Sequence, residues 1–568
     1  MPSIINVGPN LAEKLDTNGE PCYKSYLTDE IQTSFSFTTV DRGTVLKVIQ
    51  ALKPKSSCGY DDISMKTIKY IAPALLESLT LIINQSLVTG IFPDKLKIAK
   101  VIPLHKKDDE KVLDNYRPIS LLPAISKIFE RIIFNQVFTY FSKNNLFYPN
   151  QYGFRTGHST EFAALEVIDR IILDMDQGEI PLTIFLDLSK AFDTLNHDIL
   201  ITKLKHYGLD RSSLSLIHSY LSHRKQFVQM DDIKSDCDII TTGVPQGSIL
   251  GPLLFIIYMN DIANSSKVFE SVLYADDTTL MSSLHACNIR DMGGEIINNE
   301  LKKVHDWLSV NRLSLNVKKT KFMVFHKPQR NIKNCVPHIT MNDISVERVA
   351  EFNFLGLNIN EHLTWSTHAS KIGNKISSSI GIINKLKHFL PQHILKTMYS
   401  SLVLSQLNYS ILAWGFESSR IFKLQKKAVH IISNSKYNAH TEPIFKTLRL
   451  LKVEDIFKLQ ILKFYYKHQK CSLPDYFQSM EYNTISKLHN YSTRQQTHIK
   501  INKTKTKFAE NCIRNHLAVI LNNMPKVILE KSETHSLQGY SNYCKLHFIE
   551  TYSTECLIRQ CYICQRCQ

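Results

Sequence analysis

The stretch "LYADDTTL", Leu273 to Leu280, sets two carboxylates, Asp276 and Asp277, side by side in an otherwise apolar, β-prone run. Phe269, Val272, Leu273 and Tyr274 precede them, and Leu280 and Met281 follow. Like charges in apolar surroundings repel each other and resist desolvation, so a fold that keeps this segment must turn there or bring a positive partner to it. A tight hairpin meets the first demand, because acidic residues tolerate the left-handed backbone that such a turn requires. The second demand is met only if the rest of the chain supplies converging acids.

It does. "PLTIFLDL", Pro181 to Leu188, reads as a buried strand with one acid, Asp187, at its end. Two apolar strands that each release an Asp at their exit can bring three carboxylates to one sheet edge. Magnesium prefers such hard oxygen ligands and shares them with substrate phosphates. Two ions held there stabilise the attacking and leaving oxygens of an in-line phosphoryl displacement. Between the strands, "GVPQGSILGPLLF", Gly243 to Phe255, sets glycines that permit close backbone approach ahead of an apolar helix that Ser248 can cap.

The remaining chain constrains the partner. Its 568 residues exceed one ordinary domain, and 68 Lys and Arg against 52 Asp and Glu leave a net charge of +16. That surplus favours a polyanionic partner. No uninterrupted 18-residue apolar run and no signal-peptide pattern are present, so a membrane partner is not expected. Twelve scattered cysteines read as reduced thiols. Asp41 to Phe92 has helical spacing broken by the polar loop "KPKSSCGYDD". "KIAKVIPL" at Lys97 to Leu104 is a short strand leading into His105, Lys106 and Lys107. Helices are expected over Ala124 to Asn144 and, after the turn "QYGFRTGHS", up to Met175.

In order, "FLDLSKAFD", "GVPQGSILGPLLF", "YADD", "WLSVNRLSLNVKKTKFMVF" and "FNFLGLNI" resemble the palm motifs of reverse transcriptases from non-LTR (LINE-type, Jockey-like) retrotransposons. Upstream, "AKVIPLHKKDD", "NYRPISLLPAISKIFERII" and "QYGFRTGHST" are similar to the fingers motifs of that family. The resemblance spans roughly Asp41 to Asn360 and continues more weakly through "LNYSILAWG".

The resemblance implies an α/β (α+β) right-hand polymerase and an RNA-directed DNA polymerase activity. It implies two Mg2+ ions, with Mn2+ as a substitute. Template RNA, a DNA primer or nicked target DNA, and deoxynucleoside triphosphates are the implied partners. By position, Asp187 and Asp276 correspond to the metal-binding aspartates, and Asp277 to a third motif acid that tunes the site and is counted with them. Phe192 corresponds to the aromatic gate against a 2′-hydroxyl. Gln246 and Gly247 correspond to template and nucleotide positioning, and Arg117 with Lys106 or Lys107 to cations on the triphosphate. Arg suits phosphate as a planar fork and Lys as a point charge. Lys319 stands where a general acid for pyrophosphate is supplied, although it lies in a Lys-rich run that solvation alone would explain. Phe354, Leu355 and Gly356 resemble the primer grip.

The implied organisation is a linker remnant over 1–40, fingers and the start of the palm over 41–180, and palm over 181–360. The reverse transcriptase domain itself is expected over about 85–360. A thumb follows over 361–430, and a basic, Cys-containing C-terminal region over 431–568. The amphipathic "HASKIGNKISSSIGIINKLKHFL" suits the thumb, and "STRQQTHIKINKTKTKF" suits phosphate contacts to template RNA. "INVGPNLAEKL" is similar to the linker after an endonuclease, so the chain is expected to be a 5′-truncated or partial element that polymerises without nicking its target. Cys556, Cys561, Cys564 and Cys567 could ligate zinc, but their spacing departs from common fingers, and an unstructured reduced tail is the competing reading. The implied location is nucleus and cytoplasm, as a ribonucleoprotein. The alternative function is a catalytically inactive RNA-binding relic, disfavoured by the intact acids and the intact "PQG". An RNA-dependent RNA polymerase fits less well, because of Ala275 before the paired acids and the aromatic gate.

Overall fold

Every residue of strand β3 (Ile180–Leu186) is buried, and the reason sets the architecture. Ile180, Leu182, Ile184 and Leu186 belong to one apolar core, whereas the alternate residue Phe185 belongs to another. With side chains pointing to opposite faces every second residue, only a strand covered on both sides reads as an unbroken apolar run. The computed structural model describes residues 22–27, 31–106, 109–112, 115–284, 294–330, 332, 337–436, 438–485 and 498–553 as a mixed α/β fold. The N-terminal linker stretch, Lys107, much of the basic stretch before residue 498, and the tail cysteines Cys556, Cys561, Cys564 and Cys567 lie outside the described residues.

Ahead of β3, Asp41 accepts a hydrogen bond from the Thr44 amide to start the helix Arg42–Ala51. Ser64 does the same for Met65–Thr89, which ends on left-handed Gly90. Among the described residues, Met65–Thr89 is long and apolar enough by composition to cross a membrane, although Glu77 interrupts its apolar run. It nevertheless commits Ile68, Leu79, Ile83 and Leu87 to the first core. Helices Ala124–Lys143 and Thr160–Gln177 follow.

Two sheets organise this half. Strands β1 (Ile98–His105) and β2 (Tyr116–Leu121) form an antiparallel hairpin, and β1 lies parallel to β4 (Arg224–Met230). The small strands β5 (Ile233–Lys234) and β6 (Asp238–Ile240) both pair with β4. In the second sheet β3 lies between β8 (Asp277–Leu284) and β9 (Lys321–Val324), antiparallel to both. The hairpin partner β7 (Glu270–Tyr274) and the short strand β12 (Glu347–Arg348) form its edges. Two hairpins stand apart: β10 (Thr340–Met341) with β11 (Ile344–Ser345), and β13 (Glu351–Phe354) with β14 (Leu357–Asn360).

Beyond Asn360 the described chain is essentially helical. Ser366–Leu386 buries Ile372, Ile376, Ile380 and Ile383 and leaves Lys371 and Lys375 exposed. It packs on Ser419–Ser433, and Val453–Gln469 packs on Leu537–Glu550. Together they build the second core against Phe185, Met281, Met323 and the helix Thr160–Gln177. Among the described residues, Cys22, Cys58, Cys237, Cys471, Cys512 and Cys544 are free thiols.

Candidate active site

The β3–β8 register pairs Leu186 with Thr278, and the β7–β8 register pairs Tyr274 with Asp277. Asp187 therefore leaves β3 beside the acidic tip of the β7–β8 hairpin. Asp276 occupies the two-residue turn after Ala275, whose φ is +58°. Both readings of "YADD" hold at once: the acids form a tight turn, and that turn delivers them to a third carboxylate.

This tip is clamped from outside. The Tyr152 amide donates to Leu273 O at 2.7 Å and the Leu273 amide to Asn150 O at 2.9 Å. The Gln151 side-chain oxygen accepts from the amides of Ala275 (3.1 Å) and Gly153 (2.7 Å). A Cβ on Gly153 would lie 2.3 Å from the Ala275 nitrogen, so only glycine fits there. Gln151 and Gly153 were missed as site residues, although both stand in the "QYGF" turn. On the other flank, Asn316 and Thr320 hold the end of β3: the Asn316 amide donates to Asp187 O at 2.8 Å, and the Asp187 amide to Thr320 Oγ1 at 3.4 Å.

The electrostatics are those of carboxylates lacking full compensation. Burial, then repulsion from Asp187, raises the Asp276 carboxyl above its ordinary value, against the pull of Arg117 and Lys106. Burial also raises Asp187, while Lys319 and Lys106 oppose it. Crowding by protein atoms, then the charges of Asp276 and Asp187, push Asp277 up to about 6. Asp277 keeps an exposed side. Three hard-oxygen donors whose charges resist one another suit a divalent cation, which would relieve all three.

Facing them are the cations. Arg117 pairs in register with Leu104 at the loop end of the β1–β2 hairpin, where the Lys106 amide donates to Asn115 O at 2.8 Å. Lys106, Arg117 and Lys319 are all exposed. Burial, then repulsion from Arg117, Lys319 and Lys190, lowers the Lys106 ammonium. A cluster of like charges that depresses its own basicity is prepared for an anion.

Phe192 is half-buried, stacked on Phe255 (4.3 Å, 23°) and edge-on to Phe154 (6.3 Å, 88°). Its carbonyl accepts from the Val244 amide at 2.8 Å, which joins the loop after β3 to "GVPQG". The next residue, Asp193, was not singled out from sequence, yet both its oxygens accept from Gln246 Nε2 (3.0 and 3.1 Å). The acid closing "SKAFD" was its only signal. Gln246 is fixed in turn by the Ser120 amide, which donates to its carbonyl at 2.8 Å. Gly247, at φ +125°, passes so close to Ser120 O that a Cβ would sit 2.6 Å away. The close approach expected toward a substrate is thus an approach to the β1–β2 sheet. Ser248 Oγ accepts from the Gly251 amide (3.0 Å), and buried Glu130 accepts from the amides of Ile249 (2.6 Å) and Leu250 (3.2 Å), satisfying the start of helix Gly251–Tyr258.

Phe354, Leu355 and Gly356 form the turn of the β13–β14 hairpin, with Leu355 and Gly356 at φ +44° and +83°. Tyr409, from "LNYSILAWG", donates to Leu355 O and fixes that turn.

Comparison with known proteins shows what this assembly resembles: residues 104–359 match the family model described as reverse transcriptase (RNA-dependent DNA polymerase). That stretch is similar to a reverse transcriptase domain. The chain's relatives include proteins of jockey and other retrotransposable elements. It is 28% identical to the RNA-directed DNA polymerase from mobile element jockey of Drosophila melanogaster, over 77% of this chain and 48% of that protein. It is 27% identical to the probable RNA-directed DNA polymerase from transposon BS of the same species, over 76% and 48%. It is 25% identical to the Pol polyprotein from type-1 retrotransposable element R1 of Bradysia coprophila, over 64% and 36%. The chain spans about half the length of the first two relatives. All the motif acids and the hairpin of β13 and β14 up to Ile359 fall inside the reverse transcriptase match. The family as a whole uses divalent metal ions, in keeping with the donor set at Asp187, Asp276 and Asp277.

Proposed function

We propose that this chain is an RNA-directed DNA polymerase of a non-LTR retrotransposon, extending a DNA primer on an RNA template. The observation that carries the reading is the meeting of Asp187, Asp276 and Asp277 at one sheet edge opposite Lys106, Arg117 and Lys319. Asp187 and Asp276 would hold two Mg2+ ions, with Asp277 adjusting their charge. Bound there, these ions would stabilise the attacking and leaving oxygens of an in-line displacement.

The remaining residues orient and select. Arg117 and Lys106 bind the triphosphate, and exposed Lys319 is suited to proton donation toward the pyrophosphate side. Phe192, braced by Phe255, closes the sugar pocket against a 2′-hydroxyl. Asp193 locks the Gln246 amide so that its backbone and Gly247 support the templated nucleotide from below. The Phe354–Gly356 turn grips the primer. In this reading β1, β2 and the helices before them are the fingers, the β3-centred sheet is the palm, and Ser366–Leu386 opens the thumb. Lys500, Lys503 and Lys505 are exposed on a segment whose backbone donates to Asp176, a placement suited to template phosphates. Such a protein would work as a ribonucleoprotein in cytoplasm and nucleus.

The test is primer extension on an RNA template by the purified chain with Mg2+ and deoxynucleotides, alongside Asp276→Asn. Metal-dependent extension lost in the variant is expected. A wild-type chain that binds RNA and never extends would restore the inactive-relic reading.

A further inference from the structure

Where β9 ends and where β14 ends, the chain brings together His326, Glu361 and His362, which are remote from the motif acids in the sequence. Their ligating atoms all lie within 4.8 Å of one another. His326 is 8% exposed, and its amide donates to Glu361 O at 3.0 Å, joining the two strand ends. The rings stand edge to face, 4.6 Å apart.

The hydrogen bonds settle how these rings are presented. His326 Nδ1 lies 3.0 Å from Lys327 O, and His362 Nδ1 lies 3.0 Å from His326 O. A carbonyl only accepts, so each Nδ1 carries the proton and donates it. Each Nε2 is then turned to Glu361, at 3.8 Å from Oε2 for His326 and 4.0 Å from Oε1 for His362. Those separations are too long for hydrogen bonds. A metal-ligating histidine has this arrangement: Nδ1–H donated to a backbone carbonyl, with tautomer and ring orientation fixed and the Nε2 lone pair presented. Metal–ligand distances near 2.0–2.1 Å put tetrahedral donors about 3.3 Å apart, so side-chain adjustments of an ångström or so close the set. Arg348 Nη2, 2.8 Å from Glu361 Oε2, anchors the carboxylate through the oxygen that also faces His326.

We propose that His326 Nε2, His362 Nε2 and the Glu361 carboxylate form a site for a borderline first-row transition ion of the Zn2+ type, separate from the motif carboxylates. Two imidazoles and one carboxylate select such an ion over Mg2+. The fourth position is left to water. The ion's role is to staple the end of β9, in the central sheet, to the end of β14, in the hairpin that carries Phe354, Leu355 and Gly356.

The test uses the full chain with Cys556, Cys561, Cys564 and Cys567 replaced by Ser in every sample, in excess Mg2+ so that hard-oxygen sites are filled. Titration with Co2+ should give the visible d–d bands of a four-coordinate ion, saturating at one equivalent and displaced by one equivalent of Zn2+. His362→Ala, at the more exposed ligand, and Glu361→Gln should lose the bands. Zn2+ should raise the unfolding midpoint of the parent and of neither variant. A parent chain without cobalt bands, or bands that survive in folded His362→Ala, would overturn the assignment.

Discussion

The two cores that share β3 are held together in different ways. Around the first, motif meets motif through backbone: Tyr152 to Leu273, Ser120 to Gln246, Val244 to Phe192, Asn316 to Asp187. Around the second, helices meet through interchangeable apolar side chains tied by a few buried anchors. Gln425 donates to Tyr399 Oη and Leu451 O, and Asp169 accepts from Tyr476 Oη and the Ile513 amide. A reacting group tolerates little misplacement, and only backbone contacts fix a loop without depending on side-chain packing. The helical region has a weaker demand, to cover the far face of the sheet, and many sequences meet it.

The contrast can be broken at its strongest point first. Asp276→Asn should abolish extension while RNA binding stays nearly unchanged, since in the proposed role it removes a metal ligand and no phosphate contact. Extension above a few per cent of wild type would separate this carboxylate from the chemistry. Next is Gly153→Ala, which touches no substrate. Its Cβ would meet the Ala275 backbone at 2.3 Å, and displacing the acidic turn should cut the extension rate roughly hundredfold. A melting midpoint close to wild type would show that the fold itself tolerates the change. Wild-type extension by this variant would mean that the clamp on the turn is dispensable.

Phe192→Val should narrow the preference for deoxynucleotides by ~1–3 kcal/mol in single-nucleotide incorporation, the scale on which pockets reject small added groups. An unchanged ratio of ribo- to deoxynucleotide efficiency would reduce Phe192 to a packing partner of Phe255. In the helical region the expected effect moves from rate to stability. Asp169→Ala leaves Tyr476 Oη and the Ile513 amide without their acceptor and should cost ~1–3 kcal/mol, read from a denaturant midpoint. Extension measured well below that midpoint should persist, and its complete loss would contradict the division of labour.

The smallest effect is acid sensitivity. His368 is 2% exposed between Trp365 and Trp414, and its Nδ1 accepts from the Asn358 amide at 3.2 Å. Burial, then Lys375 and Lys371, lowers it from 6.5 to about 4. The unfolded chain therefore binds the proton more readily, and the contribution of neutral His368 is present above pH 6.5 and lost as pH falls toward 4. The expected slope is about 1.4 kcal/mol per pH unit within that window. His368→Gln should flatten the stability profile there, and an unchanged profile would refute the assignment.

The same division explains what the sequence made legible. Asp187, Asp276, Asp277 and Gln246 stand in segments whose backbone is pinned by turns and glycines, so residue type and spacing survive as a pattern. Asp193 and Gln151 escaped because their partners, Gln246 and Ala275, are 53 and 124 residues away along the chain, and one acid or one amide carries no spacing. The helix Ser366–Leu386 was readable from its apolar stripe. What it packs against was not, since an isoleucine stripe fits many helices. His326, Glu361 and His362 were invisible for the same reason as Asp193 and Gln151: His326 and His362 are 36 residues apart in the chain, and that separation carries no ligand spacing.

One further consequence belongs to β3. Because Phe185, Met281 and Met323 share one core with the helical region, a chain cut soon after Asn360 would retain the motif acids but leave that core half-built, with only the helix Thr160–Gln177 and the rings of Phe352 and Phe354 over the sheet. Transplanting the motif half alone onto another protein would therefore carry an adhesive face with it. The unit that can be moved, inherited or expressed intact extends past the recognisable motifs to the last helix that shields that sheet.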